Sequence, residues 1–117
     1  MADTNLISVN RDLDQLHDLL IDANEKLSDS LQNITDPDLA QGVVREMREV
    51  VHRIDLVQSL LFTASSNRIT AAVAKAKDAN AALTAALKSI TDLTTLVKNV
   101  TGFLTLVDKA IDVAKVI

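Results

Sequence analysis

Residues 22–36 read DANEKLSDSLQNITD, and residues 78–92 read DANAALTAALKSITD. The two stretches lie 56 residues apart and agree at eight of fifteen positions. The shared Leu and Ile would follow from any common apolar period. The shared Asp, Asn and Thr would not. Such self-similarity marks a duplicated structural unit. The unit reads as a helical hairpin, because each stretch closes a helix-forming run with an Ile-Thr-Asp turn. In the first copy Asp36 is placed to accept from the free amides of a following helix, and Pro37 suits a first helical position. In the second copy Asp92 stands where Asp36 stood.

Apolar residues recur around the repeat at alternating three- and four-residue spacings. The first segment runs Leu6, Val9, Leu13, Leu16, Leu20, Ala23, Leu27, Ser30 and Ile34. The second runs Ala40, Val43, Met47, Val50, Ile54, Val57, Leu61 and Ala64. From Ile69 the seam passes through Ala72, Ala76, Ala79, Leu83, Ala86, Ile90, Leu93, Val97, Val100, Leu104, Val107, Ile111 and Ala114. A strict repeat of about 3.5 residues keeps one seam on one face when helices supercoil around partners. The phase slips at Asp36-Pro37 and again at Ser65-Ser66-Asn67, as expected where one helix stops and another starts. Two Gly and one Pro leave too few breakers for the tight turns of an all-β fold.

The expected fold is all-α: an antiparallel four-helix bundle in one domain over residues 1–117. Its two duplicated hairpins span 4–64 and 67–116, with helices at 4–34, 37–64, 67–89 and 92–116. An alternative stays open, in which three helices, the last of them long, form an oligomer. The heptad phase crosses 89–92 unbroken, and no Gly or Pro interrupts it there. A single helix from 67 to 116 would be ~75 Å long, and its apolar overhang would need a second chain. Against it stand Ser89, Thr91, Thr94, Thr95, Asn99, Thr101 and Gly102, all poor helix formers.

Composition argues against most chemistry. The chain is 48% hydrophobic, with no Trp, no Tyr and no Cys. Disulfides, thiolate metal sites and Cys nucleophiles are therefore excluded. Net charge is −4, divided as −7 over residues 1–64 and +3 over 65–117. Neither half is basic enough for a nucleic-acid footprint, and aromatic stacking platforms are missing, so no nucleic-acid partner is expected. The start, MADTN, does not read as a signal peptide, and the uncharged stretch from Asn99 to Val107 falls far short of the ~20 residues that span a bilayer. The expected compartment is the cytoplasm, with export lacking a signal peptide left open. In that setting the glycosylation patterns at Asn33 and Asn99 are coincidental.

Two spacings resemble half of a bundle di-metal site: Asp14-x-x-His17 and Glu49-x-x-His52. The heptad turns Asp14, Glu49 and His52 outward and leaves His17 on a flank, and no carboxylate occupies a seam position. With two His, two isolated Gly and a seam of Ala, Val, Leu and Ile, no positioned acid, base, nucleophile or phosphate loop is in view. The chain reads as a non-enzyme with no metal and no cofactor.

Two surfaces remain as interaction candidates. Asp14, Asp18, Asp22, Glu25 and Asp29 are spaced four, four, three and four apart on the first helix, opposite its seam. They form a candidate docking face for a basic partner or a neighbouring subunit. The C-terminal segment carries more apolar residues than one stripe needs, which makes Leu96, Phe103, Leu106, Val113 and Ile117 a candidate interaction face. The expected role is a structural or protein-interaction bundle that self-associates as a dimer or larger, or docks a helical partner. The alternative is a lipid-surface or pore-forming protein that uses residues 93–117 amphipathically, with a membrane surface the less favoured partner.

Overall fold

A computed structural model describes residues 9–116. Helix takes up 82% of them, with no strand. Four helices run in order: α1 Arg11–Ser30, α2 Pro37–Gln58, α3 Asn67–Leu87 and α4 Leu93–Lys115. A short 3-10 turn, Leu31–Asn33, follows α1. The third turn is present, so the single long C-terminal helix does not form. Asp92 caps α4, accepting from the Thr95 amide at 2.8 Å and from Thr95 Oγ1 at 3.1 Å.

The duplication extends across the whole described structure. The helix N-caps are Asn10 and Asp36 in the first hairpin and Ser66 and Asp92 in the second, equivalent residues lying 56 apart. Each cap has extended backbone and accepts amide hydrogen bonds through its side chain. Such caps satisfy donors that the first helical turn leaves free.

Several expected boundaries move inward. The first helix starts at Arg11 because Asn10 caps it, while residues 4–8 lie outside the described residues. Helix α2 stops at Gln58 because the chain must cross to the start of α3, and Asn10 binds the crossing. The Asn10 amide donates to the Leu61 carbonyl at 2.7 Å, and its Nδ2 to the carbonyls of Thr63 and Ala64 at 3.0 and 3.3 Å. Its Oδ1 accepts from the Asp12 and Leu13 amides. Asn10 is 3% exposed, so these bonds satisfy a polar group that burial would otherwise penalise.

Helix α1 packs on α2 and α3, and α4 packs on α3 and α2. Helices α1 and α3 are therefore neighbours, not diagonal partners. Thr70 Oγ1 donates to Asp12 Oδ2 at 2.6 Å, and Asn80 Nδ2 donates to Asp22 Oδ2 at 3.2 Å. Both bonds join residues 58 apart, an offset that only two helices running the same way can keep. Each hairpin is antiparallel within itself, and the second is laid on the first by displacement, not by a two-fold rotation.

Every helix thus touches two others, and this widens its buried stripe. In α2 the core takes Leu39, Gly42 and Glu46 beside Val43, Val50 and Val57, while Ala40, Met47 and Ile54 of the expected seam are half-buried. In α4 it takes Leu96, Val100, Phe103, Leu104, Val107, Ala110, Ile111 and Ala114. At Gly42 the Leu93 side chain of α4 lies against the bare Cα of α2, since a Cβ there would collide with Leu93 Cδ1.

Candidate interaction surface

The apolar face expected on the C-terminal segment is largely core. Leu96 and Phe103 are buried, 0% and 1% exposed. Leu106 and Val113 are half-buried against the core, and Ile117 lies outside the described residues. The surplus of apolar residues in α4 has a plain cause: the helix fills two grooves at once, against α3 and against α2. One stripe would not have been enough.

The acidic face also divides. Asp14, Asp18, Glu25 and Asp29 are exposed. Asp22 is half-buried and accepts from Asn80, so it joins α1 to α3 and is not part of a free docking face. Asp29 borders a groove between α1 and α3 with Lys26, Thr84 and Lys88.

Between α2 and α4 lies a polar groove that no sequence pattern singled out. Arg53 forms a fork with Asp108, Nε to Oδ1 and Nη2 to Oδ2 at 3.1 Å each, and its Nη1 donates to Glu49 Oε1 at 2.8 Å. The hydrogen bonds that Arg53 donates to Asp108 hold its guanidinium above the ordinary range. Glu46 is 9% exposed beside this network. Burial, then the neighbouring Glu49, raises its carboxyl above the ordinary range. A bidentate arginine–carboxylate fork is directional, and here it fixes the register of α2 on α4. His52 is exposed, and Glu49 is spent on Arg53, so the Glu49–His52 spacing assembles nothing with the first helix. Among the described residues no group of three or more His, Asp or Glu could hold a metal ion.

Apolar area is also left open on the outside of the first hairpin, where it lines a groove. Asn24, Leu31, Val44, Met47, Arg48 and Val51 line a groove between α1 and α2. A second depression, lined by Ala40, Gln41, Val44, Arg45 and Arg48, continues it along α2. Val44 is 39% exposed, Val51 43% and Ile21 38%. The equivalent residues one repeat later tell a different story. Val100 and Val107 stand where Val44 and Val51 stand, and both are 0% exposed. The face that the second hairpin buries against the first is, on the first hairpin, open. We call it the leading face of each hairpin, and the opposite side the trailing face.

The heptad did not reveal this surface, because Val44 and Val51 fall outside the seam. The signal was available: Val44 and Val51 lie seven residues apart, two turns along one flank of α2. No protein-family model, curated protein or solved structure matches the chain.

Proposed function

We propose that this chain is a non-enzymatic interaction module. It docks a helical protein surface, its own or another protein's, on the leading face of the first hairpin. The observation that carries this reading is the exposure of Val44 and Val51 in a groove with Met47 and Leu31. Open apolar area of this kind favours association by ~25 cal/mol per Å² covered. The rim is charged, with Asp14, Asp18 and Glu25 on α1 and Arg45 and Arg48 on α2. Such a rim selects and orients a partner more than it adds affinity. The reading needs no cofactor, metal or nucleic acid.

The lipid alternative relied on apolar side chains of residues 93–117. Eight side chains of α4 lie in the core, Leu96 and Phe103 among them, so the larger part of its apolar stripe is spent inside the bundle, while Val97 and Val116 stay exposed. No helix among the described residues is long and apolar enough to cross a membrane.

The test is capture from the lysate of the source cells, with the wild-type chain and Val44→Glu/Val51→Glu compared side by side. The reading expects the wild type to retain copies of itself or another protein, and the variant to retain neither. Equal retention by both would overturn it. Flotation of the wild type with anionic vesicles, unaffected by the double substitution, would favour the lipid alternative.

A further inference from the structure

We infer that the leading face is filled by a second copy of this chain, seated head to tail through the trailing face of its second hairpin. The inference rests on the interaction reading above and names its partner.

Within one chain, the second hairpin sets its leading face on the trailing face of the first. One leading face and one trailing face remain open, at opposite sides of the bundle. Each is the repeat equivalent of a face already buried against the other kind, so the internal contact is a template for the contact between copies.

The apolar residues fit this template. Val50 and Val57 are fully buried on the trailing face of the first hairpin. Leu106 and Val113 hold the same positions in the second and are only half-buried.

Two of the polar contacts fit as well, while the Arg53–Asp108 fork has no counterpart, its equivalents being Lys109 and His52. Inside the chain Asp22 accepts from Asn80. The same Asp and Asn, one repeat removed, are Asp78 and Asn24. Asp78 is exposed and Asn24 is half-buried. A bond from Asn24 of one copy to Asp78 of the next would repeat the internal one. The internal Thr70–Asp12 bond corresponds between copies to Asp14 facing Arg68, a pair of opposite charges.

The two contacts are not identical. Where the first hairpin has Gly42 and Glu46, the second has Lys98 and Gly102. The small residue has moved one turn along, so the bare patch that a side chain of the next copy can fill centres on Gly102. A Cβ built there meets nothing within 4 Å, and the surface is open to a neighbour. Contacts between unlike faces close into a ring only where a rotation brings them round, and a repeat laid on by displacement leaves the stack open.

Light scattering from about 10 μM to about 1 mM tests this. The wild-type mean mass should climb past that of a dimer without a plateau. Val44→Glu/Val51→Glu, altered on the leading face, and Gly102→Arg, altered on the trailing face, should each stay monomeric alone. Mixed in equal amounts, they should form a one-to-one heterodimer and nothing larger, because each keeps the face that the other lost. Asp14→Arg should weaken stacking about tenfold, worth ~1.4 kcal/mol, and adding Arg68→Asp to the same chain should restore it. A Gly102→Arg chain that still dimerises overturns the head-to-tail geometry in favour of leading faces meeting each other. A wild type that stays monomeric throughout overturns self-stacking altogether. The interaction reading would survive that second result if lysate capture still depended on Val44 and Val51.

Discussion

Helices α1 and α3 carry the same pattern and bury different parts of it. Helix α1 buries Leu13, Leu16, Leu20, Ala23 and Leu27, and α3 buries Ile69, Val73, Ala76, Asn80 and Leu83. One repeat back, the α3 set corresponds to positions 13, 17, 20, 24 and 27. Three positions coincide, and two are turned by one residue, about 100° around the helix. The turn brings Asn80 to Asp22 of α1. Helix α1 has no neighbouring helix on that flank among the described residues. His17 and Asn24 are half-buried there, and His17 Nε2 and Asn24 Oδ1, like Asn80 Oδ1 of α3, have no partner among the described residues. A heptad defines the stripe that can be buried, and the neighbouring helix decides which of its flanks is.

The sharpest way to break this comparison is to charge equivalent positions in the two hairpins. Val107→Asp should cost at least about 4 kcal/mol and leave the chain largely unfolded, because an unpaired charge enters a dry core. Val51→Asp, one repeat earlier and 43% exposed, should cost under about 1 kcal/mol. Urea denaturation followed by circular dichroism measures both. Equal losses would mean that the two leading faces are equally covered within one chain.

The caps offer a second contrast. Asn10 both caps α1 and ties the α2–α3 crossing, whereas the Ser66 side chain caps α3 by accepting from the Arg68 amide at 3.1 Å. Asn10→Ala should therefore cost about 2–3 kcal/mol and Ser66→Ala about 1 kcal/mol, read as shifts in the urea midpoint.

The smallest effect concerns Glu46, whose repeat equivalent is the exposed Gly102. Folding raises the Glu46 carboxyl above its ordinary range, so the folded chain holds that proton more tightly than the unfolded chain does. Its share of stability is greatest in acid and falls as pH rises through the window above the ordinary carboxyl range. Glu46→Gln should raise stability slightly at neutral pH, and the gain should vanish once pH falls below the ordinary carboxyl range. Thermal melts across that interval check the sign.

Much of the architecture was legible in residues alone. The Ile34-Thr35-Asp36 and Ile90-Thr91-Asp92 turns, the Leu13–Leu27 seam and the duplication follow from local propensity and period, which act within a few turns of helix. The facing of the helices did not follow, because a seam is silent about how many neighbours a helix has. That silence placed Ala72 and Ala79 in the seam when Val73 and Asn80 are buried. It also made Leu96 and Phe103 look like surplus, and it hid Glu46 one residue beside the seam position Met47. The clasp made by Asn10 joins residues more than fifty apart, beyond the reach of any pattern within one helix. The open leading face became visible only when Val44 and Val51 could be set beside the covered Val100 and Val107.

The account turns on α1 and α3 lying side by side and pointing the same way, and cross-linking tests that directly. The chain has no cysteine of its own. Asp12→Cys with Thr70→Cys should form an intramolecular disulfide in dilute, mildly oxidising solution. Asp12→Cys with Asn80→Cys should not, since ten residues along a helix separate the two α3 positions by ~15 Å. A disulfide in the second pair and none in the first would mean that α3 runs against α1. The stacked-hairpin architecture would then be wrong.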